Sequence, residues 1–261
     1  MESSIASELG NDPLELSIII PAYNEEKRIG PTLERVHSYF ASGPGAGFRD
    51  FEIIVVDDGS SDRTVELVKS FAPNMPTLRV VSNGVNHGKG FSVRHGMREA
   101  RGSITLFTDA DLSSPIEESC KLLEGLAAGH EIAIGSRAVD RSLIEKHQSR
   151  TRELGGIIFN RFVRLFTGLR FHDTQCGFKA FLREPCRIIF EQQSIERFGF
   201  DPEILFLAKR HGLKIVEVPV RWAHDPATKV HMLRDSLLMF SDLVYIRWNC
   251  MRGRYPRRAE H

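Results

Sequence analysis

Residues 103–111 read Ser-Ile-Thr-Leu-Phe-Thr-Asp-Ala-Asp, an apolar run followed directly by two carboxylates. The first six residues favour a buried β-strand because they are rich in β-branched and aromatic side chains. Side chains alternate between the two faces of an extended segment, so Asp109 and Asp111 are expected to point the same way. The stretch predicts a strand whose carboxyl end presents two acids.

The segment after this strand has the pattern of a helix start. Ser114 occupies an N-cap position, Pro115 the first helical position and Glu117 the third, which together form a capping box. We therefore expect a helix over residues 115–128. Two acids before a helix are also typical of a solvated turn, and the triplet alone does not separate that interpretation from a metal site.

Short β-rich runs alternate with helical patterns through the first half of the chain. We predict strands at residues 16–20, 51–56, 78–81, 103–108 and 131–134, and helices near 25–40, 62–71, 88–101 and 115–128. Continuous apolar strands separated by helices indicate an α/β fold with a mostly parallel central sheet and helices on both faces. Ligands on such sheets bind at the carboxyl ends of the strands.

The pattern changes beyond residue 140. We predict a basic amphipathic stretch, a glycine-containing turn, a helix, a strand and a final helix near residues 150–170, 173–178, 201–211, 213–218 and 231–250. One domain is expected over residues 16–250, between a disordered N-terminal tail (1–15) and a basic tail (251–261).

The composition limits the partners and the compartment. The 35 basic and 34 acidic residues leave a net charge of +1, which gives no global field for a nucleic acid. The four cysteines are far apart and lack zinc-site spacing, so we expect free thiols in a reducing compartment. No apolar run approaches the roughly 20 residues of a membrane span, and the first 15 residues lack a signal-peptide pattern. We expect a cytoplasmic protein.

Three other predicted strands also end in polar residues. The segments are Pro21-Ala22-Tyr23-Asn24-Glu25-Glu26, Asp57-Asp58-Gly59-Ser60-Ser61-Asp62 and Asn83-Gly84-Val85-Asn86-His87-Gly88-Lys89-Gly90. Each segment alone is explained by ordinary turn and cap chemistry. Because the carboxyl ends of parallel strands meet at one edge, the segments and the acidic triplet together predict a ligand site there.

The residue types at this edge favour a nucleotide that carries a diphosphate. Tyr23 can lie against a base, and Asp58 can accept a hydrogen bond from an imide N–H while Asp57 points elsewhere.

The phosphate side of the predicted site has glycines, a cation and two acids. Gly88 and Gly90 allow the backbone to approach phosphate, Lys89 adds positive charge, and the following helix presents its N-terminal amides. Asp109 and Asp111 supply the oxygen ligands that Mg²⁺ or Mn²⁺ prefers.

Six motifs in order resemble the family 2 inverting glycosyltransferases, in the branch of dolichyl-phosphate β-glucosyltransferases and polyprenyl-phosphate mannosyltransferases. They are P-A-Y-N-E (21–25), V-V-D-D-G-S-S-D (55–62), N-x-G-K-G (86–90), D-A-D (109–111), G-S-R (135–137) and D-T-Q-C-G-F-K (173–179). The resemblance covers residues 16 to about 250. It implies a glycosyltransferase A fold, a single Rossmann-like nucleotide-sugar domain with a donor half (about 16–140) and an acceptor half (about 141–250).

The resemblance also implies two groups of nucleotide-binding residues. The base and ribose group is Pro21, Ala22, Tyr23, Glu25, Val56 and Asp58. The diphosphate group is Lys89, Asp109, Ala110, Asp111, Arg137 and Lys229, with Mg²⁺ or Mn²⁺ on Asp109 and Asp111. Mannosyltransferase relatives place a Gln two residues past the triplet as a further metal contact, whereas this chain has Ser113.

The implied acceptor is a polyprenyl or dolichyl phosphate. Such a phosphate is already ionised near neutral pH and needs cations that hold it in line rather than a strong base. The candidate catalytic residues are therefore Asp111, Arg152, Gln175 and Lys229. Arg152 also fits a solvated helix face, Gln175 a turn and Lys229 a loop charge.

Two amphipathic segments bear on contact with a membrane surface. Residues 150–170 and 231–250 both combine apolar residues with arginines, and the second leads into the basic tail. Each segment fits either a helix that packs on the core or an interfacial helix that holds the protein on the cytoplasmic face of a bilayer.

Several functions remain open at this level. The leading hypothesis is transfer of glucose from UDP-glucose, and the nearest rival uses GDP-mannose with the same acceptor. The preference for glucose rests on the resemblance of the D-T-Q-C-G-F-K and C-terminal segments to the glucosyl branch. A sugar nucleotidyltransferase would need a glycine-rich phosphate loop near the N-terminus, and a non-catalytic nucleotide-sugar binding module would need no metal site.

Overall fold

A computed structural model describes residues 14–45, 47–48, 50–146, 148–224 and 232–256. Its strands are β1 (Leu16–Ala22), β2 (Phe51–Asp57), β3 (Leu78–Ser82), β4 (Ile104–Thr108), β5 (Ile132–Ser136), β6 (Ile144–Lys146), β7 (Phe178–Leu182), β8 (Ile215–Pro219) and β9 (Trp222–Ala223). Its α-helices are α1 (Ile29–Ala41), α2 (Thr64–Phe71), α3 (Lys89–Glu99), α4 (Ser119–Ala127), α5 (Arg150–Thr167), α6 (Arg183–Gln192), α7 (Phe200–Arg210) and α8 (Met232–Met251).

Seven strands form one sheet in the order β3-β2-β1-β4-β7-β5-β8, and β6 pairs with β9 in a separate two-stranded sheet. The pairs β1–β2, β2–β3, β1–β4 and β5–β8 are parallel, whereas β7 runs antiparallel to both β4 and β5. The prediction of a mostly parallel sheet in an α/β fold is confirmed.

Both faces of the sheet are buried, which explains the continuous apolar strands. Alternate residues of β1 enter two different core clusters: Ile18 and Ile20 pack with α1, and Ile19 packs with α3 and α7. All three are fully buried. Burial of both faces removes the polar alternation of a half-exposed strand, so these strands are recognisable from sequence.

Strand β7 and helix α6 lie between the predicted turn at 173–178 and the predicted helix near 201–211, where no element was predicted. The strand sequence Phe-Lys-Ala-Phe-Leu carries Lys179 in its centre, which is unusual in a buried strand. Lys179 is fully buried because it pairs with Asp201 at the start of α7, with 2.6 Å between Nζ and Oδ1. The lysine is neutralised by a residue outside its own strand.

The capping box predicted at residue 114 is wrong. A single 3₁₀ turn covers Ile116–Glu118, and α4 begins only at Ser119. The Ser114 hydroxyl lies 3.7 Å from Cys176 Sγ, and the Glu117 carboxylate accepts two hydrogen bonds from Arg35. Partners from distant segments have replaced the local cap.

A buried carboxylate joins α7 to the end of α8. Glu203 is fully buried and accepts hydrogen bonds from the Tyr255 hydroxyl (2.7 Å), from both the amide and the hydroxyl of Ser194, and from the Ile195 amide. The carbonyl of Ile195 lies against Gly90, where an added Cβ would come within 2.7 Å. One side chain thereby connects the C-terminal segment to the start of α3.

Among the described residues, no helix is both long enough and apolar enough to cross a bilayer. Residues 1–13 of the predicted N-terminal tail and residues 257–261 of the predicted basic tail lie outside the described residues.

Close packing of α3 on the sheet gives a stability prediction. A Cβ at Gly96 would lie 2.5 Å from Ile19 Cγ2 and 2.9 Å from Val56 Cγ2. We expect Gly96→Ala to lower the free energy of unfolding by about 1–3 kcal/mol through overpacking, measured by urea denaturation. The matched control is Gly156→Ala in α5, which meets nothing within 4 Å and should raise stability by about 0.5–1 kcal/mol. Equal effects of the two substitutions would contradict the packing.

Candidate active site

The acidic triplet lies in a turn rather than in an extended strand. Strand β4 ends at Thr108, and the Leu112 amide donates to the Asp109 carbonyl at 3.1 Å. Leu112 has φ 46°, in the left-handed region that non-glycine residues rarely adopt. Strand alternation is therefore the wrong reason for the proximity of the two acids. The two carboxylates nevertheless lie close enough to interact. Burial and the nearby charge of Asp109 raise the pKa of Asp111.

Three hydrogen bonds hold this turn from different sides. The Thr32 hydroxyl on α1 donates to the Ala110 carbonyl at 2.7 Å, and the Ser113 amide donates to Asp111 Oδ1 at 2.9 Å. The Ala223 amide on β9 donates to the Ser113 carbonyl at 2.8 Å. The Ser113 amide thereby helps to position Asp111.

Two lysines compensate the charge at this edge. Lys89 Nζ lies 2.5 Å from Asp109 Oδ1, and Lys179 Nζ lies 2.6 Å from Asp201 Oδ1. Both ammonium groups also lie over the ring of Phe107, at 5.4 and 5.6 Å from its centroid. Burial disfavours the charge on Lys89, but the carboxylates of Asp109 and Asp201 outweigh it and raise the lysine pKa. The lysine at the start of α3 thus stays positive beside the triplet.

Gly177 approaches Asp109 more closely than any side chain would allow. A Cβ on Gly177 would lie 2.0 Å from Asp109 Oδ2. Because β7 runs antiparallel to β4, the D-T-Q-C-G-F-K segment enters the sheet at the same edge at which β4 ends. The family resemblance identified the D-T-Q-C-G-F-K motif from sequence. Its contact with the triplet depends on the antiparallel direction of β7.

Arg137 forms a bidentate ion pair with Asp173. Its Nε lies 2.6 Å from Oδ2 and its Nη2 lies 2.9 Å from Oδ1, while the guanidinium lies 5.4 Å over the Trp222 ring. Although burial opposes the shift, Arg137 lowers the pKa of Asp173 to about 2. The G-S-R and D-T-Q-C-G-F-K motifs therefore meet in space.

Asp58 organises the loop before α3. Its carboxylate accepts hydrogen bonds from Asn83 Nδ2 (2.8 Å) and from the amides of His87 (3.0 Å) and Gly88 (2.8 Å). The neighbouring Asp57 instead accepts from amides of its own turn. Asp58 thus fixes the glycine-containing loop, a role that sequence reasoning missed.

The remaining residues predicted around a base lie at the ends of β1 and β2, and they are Pro21, Ala22, Tyr23, Glu25 and Val56. Tyr23 is 39% exposed, so its ring is accessible at this edge. Glu25 pairs with Arg28 at 2.6 Å, whereas Val56 is fully buried in the sheet. Tyr23 is the accessible aromatic surface of this group.

The three acceptor-side candidates are placed differently. Gln175 is two residues from Gly177, and its buried Nε2 has no hydrogen-bond partner among the described residues; the same holds for Oγ1 of the adjacent Thr174. Arg152 is half-buried in the first turn of α5, and no hydrogen bond or ion pair in the described part of the chain joins it to the triplet. Lys229 lies outside the described residues.

The donor set fits a divalent cation that is shared with a diphosphate. Asp109 and Asp111 offer the hard oxygen atoms that Mg²⁺ and Mn²⁺ prefer, and the turn holds them together. In the described residues, no cluster of three or more His, Cys, Asp or Glu side chains could hold a metal. Two protein carboxylates are therefore the ligands offered by this edge, and the other ligands would come from the nucleotide and water.

The carboxyl edge of this α/β sheet thus brings together paired acids, a cationic helix start and a glycine-containing loop, where ligands of such sheets bind. The chain belongs to glycosyl transferase family 2, because the profile of that family matches residues 17–190. The expectations of fold and family are confirmed.

Curated relatives extend the match over most of the chain. Dolichyl-phosphate beta-glucosyltransferase from Drosophila melanogaster is 39% identical over 245 residues, which cover 89% of this chain and 74% of the relative. The Homo sapiens protein of the same name is 33% identical over 253 residues, which cover 92% and 76%.

A solved structure supports the fold independently. Glucosyl-3-phosphoglycerate synthase from Mycobacterium tuberculosis, solved with Mn²⁺ and UDP-glucose, superposes with a TM-score of 0.65 at 18% identity. The match covers 100% of this chain and 85% of that one. At this identity the likeness concerns the fold alone.

The Lys89–Asp109 pair predicts how the site responds to a metal. We expect Lys89→Met to increase Mn²⁺ affinity in the absence of nucleotide by about tenfold, because it removes a positive charge that competes for Asp109. The same variant should bind UDP-glucose more weakly with metal present, because a phosphate-facing cation is lost. Free Mn²⁺ is measured by electron paramagnetic resonance and nucleotide binding by calorimetry.

Lys121→Met is the matched control, because Lys121 pairs with Glu118 away from the triplet. This control should change neither affinity. A Lys89→Met variant that binds Mn²⁺ no better than the wild-type chain would contradict competition between lysine and metal.

The Arg137–Asp173 pair predicts a contribution to acid stability. A carboxyl whose pKa falls from its ordinary value to about 2 contributes about 2 kcal/mol above pH 4, and the contribution disappears as the pH falls toward 2. Asp173→Asn should therefore remove this segment of the pH dependence of urea unfolding. Asp50→Asn, at an exposed loop position, should leave it in place. If the wild-type chain and Asp173→Asn had parallel pH profiles, the Arg137–Asp173 pair would be excluded as the source of this pH dependence.

Proposed function

We propose that the chain transfers glucose from UDP-glucose to a polyprenyl or dolichyl phosphate, with Mg²⁺ or Mn²⁺, and forms a β-linked lipid phosphosugar. The observation that carries the proposal is the triplet turn, in which Asp109 lies between Gly177 and Lys89. The names and high coverage of the curated relatives support the donor sugar and the acceptor class.

The donor is proposed to lie along the carboxyl edge of β1, β2 and β4. Tyr23 would contact the uracil base, and the loop held by Asp58 would place the amides at the start of α3 toward the phosphates. Lys89 and Arg137 would add positive charge near the diphosphate. Arg137 is already oriented by Asp173 and needs no rearrangement to present its remaining N–H groups.

Asp109 and Asp111 would hold the divalent cation together with the diphosphate. When bound, the cation neutralises the negative charge that builds on the departing UDP. Gly177 and the Thr32 hydrogen bond keep the two carboxylates in place before the donor arrives. Such preorganisation lowers the cost of assembling the site for the reaction.

The acceptor phosphate is proposed to attack from the side opposite UDP. One phosphate oxygen forms a bond to the anomeric carbon while the bond from that carbon to the UDP oxygen breaks, which inverts the configuration. The unpaired Nε2 of Gln175 is a donor for the acceptor or the sugar. Arg152 and Lys229 are the proposed cations for the incoming phosphate.

A polyprenyl acceptor requires contact between this site and a membrane. We propose that the protein works peripherally on the cytoplasmic face, where nucleotide sugars and the lipid phosphate are both accessible. GDP-mannose remains the second donor candidate. The names of the curated relatives, which are dolichyl-phosphate beta-glucosyltransferases, favour glucose.

The direct test supplies purified protein with dolichyl phosphate, Mn²⁺ or Mg²⁺ and radiolabelled UDP-glucose or GDP-mannose. We expect lipid-linked glucose, its loss with a chelator, and a fall in kcat of a hundredfold or more, to order of magnitude, for Asp111→Asn. The matched control is Asp140→Asn, which should retain activity. Lipid-linked mannose alone would assign the other donor, and no lipid-linked sugar from either donor would refute the proposal.

A further inference from the structure

Helices α5 and α8 present most of the exposed apolar surface of the molecule. Of the fifteen large apolar side chains found exposed in the described part of the chain, five lie on α5 and seven on α8. We call this surface the α5–α8 face and define it by Leu154, Ile158, Leu165, Leu237, Trp248 and Met251. Leu165 is 75% exposed and Leu237 73%. Scattered exposed apolar residues are normal, but such a concentration marks a docking surface.

The apolar residues of the two helices form one continuous surface. Phe240 on α8 packs edge-on against both Phe162 and Phe166 on α5, with ring centroids 5.1 and 5.6 Å apart. Leu243 and Ile246 on the opposite side of α8 are fully buried in the core. The outward apolar residues of α8 are therefore additional to those that hold the helix on the domain. A helix that is apolar on both sides is normally covered on both sides.

The positive charges around the α5–α8 face favour an anionic lipid bilayer as the partner that covers it. Arg161, Arg247 and Arg252 are exposed, and the Arg252 guanidinium lies 4.3 Å over the Trp248 ring. Apolar residues flanked by arginines, with an aromatic ring at the boundary, are typical of interfacial helices on anionic lipids. A second copy of the chain would bring like-charged arginines together, which disfavours self-association through this face.

The acidic side chains described on these two helices do not oppose this charge. Glu153 pairs with Arg141 at 2.7 Å. Asp242 is turned inward, where a Cβ on Gly199 would lie 2.2 Å from its Oδ2. Neither carboxylate is placed to repel a negatively charged lipid surface.

The start of α5 is connected to the strand pair that holds the triplet turn. Helix α5 begins four residues after the end of β6, and β6 pairs with β9, whose Ala223 amide donates to the Ser113 carbonyl. Under the proposed function, a bilayer on the α5–α8 face would supply the lipid phosphate from the side of α5.

We propose that the α5–α8 face docks this protein on an anionic lipid bilayer. The approach of the acceptor from that bilayer rests on the proposed function, whereas the docking itself does not. The first experiment is co-sedimentation of the full chain with vesicles of phosphatidylcholine alone or mixed with phosphatidylserine. We expect binding to the mixed vesicles and an at least tenfold loss of binding in the double variant Leu165→Glu, Trp248→Glu.

The matched pair is Leu165→Glu and Val139→Glu, which introduce the same single charge at an exposed apolar position on the face and outside it; Leu165→Glu should weaken binding, and Val139→Glu should bind as the wild-type chain does. Circular dichroism and thermal unfolding confirm that each variant is folded. Equal binding of the wild-type chain and the double variant would overturn the proposal. Dimerisation that the double variant abolishes, without vesicle binding, would assign the face to a second copy and overturn it too.

Trp248 reports directly on the membrane contact. Brominated lipids should quench its fluorescence in the wild-type chain, because the indole is 47% exposed on the face, whereas Trp222 is 9% exposed. Trp248→Phe should retain binding and lose most of the quenching. Binding without quenching would show that another surface touches the bilayer and would overturn the proposal.

An activity comparison separates this inference from the proposed function. With a short, water-soluble polyprenyl phosphate, the double variant should transfer glucose as fast as the wild-type chain. With the long acceptor in vesicles, it should be at least tenfold slower. Vesicle binding without any transfer would refute the proposed function and leave the docking surface supported.

Discussion

Two carboxylates near the carboxyl end of β4, those of the half-buried Asp109 and the buried Asp201, are the constraint on which the arrangement of the site depends. A carboxylate removed from water is unfavourable unless a cation and hydrogen-bond donors accompany it. Lys89 and Lys179 supply the cations to Asp109 and Asp201, and both lie over the same Phe107 ring. One lysine opens α3 and the other lies in the centre of β7. The charge compensation therefore requires α3 to begin at this edge and β7 to lie beside β4.

The glycine-containing loop before α3 is held from two sides. The amides of His87 and Gly88 donate to Asp58 on one side, and the Phe91 amide donates to the Glu196 carbonyl on the other at 2.9 Å. Gly88 and Gly90 permit this second contact, since a Cβ on either would meet the backbone of residues 195–196 at 2.7 Å. The loop is thus shaped by its neighbours as well as by its own sequence.

The sequence was informative where burial and function act locally. Strands buried on both faces were recognisable as continuous apolar runs, and the acids after β4 and the glycines before α3 marked the site. Strand β7 was not predicted, because Lys179 interrupts its apolar sequence and the partner of this lysine, Asp201, lies 22 residues away. Ser114 had the pattern of a cap, but its hydroxyl lies beside Cys176. The approach of Gly177 to Asp109 depends on an antiparallel strand between parallel ones, which no local pattern specifies.

The buried Glu203 has a mechanical consequence for a protein that works at a surface. It accepts hydrogen bonds from Tyr255, just beyond α8, and from Ile195, whose carbonyl touches Gly90 at the phosphate loop. Displacing the end of α8 would remove the Tyr255 donor and leave this buried carboxylate with the donors of Ser194 and Ile195 alone, which is unfavourable. The C-terminal segment and the loop before α3 are therefore linked through one buried side chain.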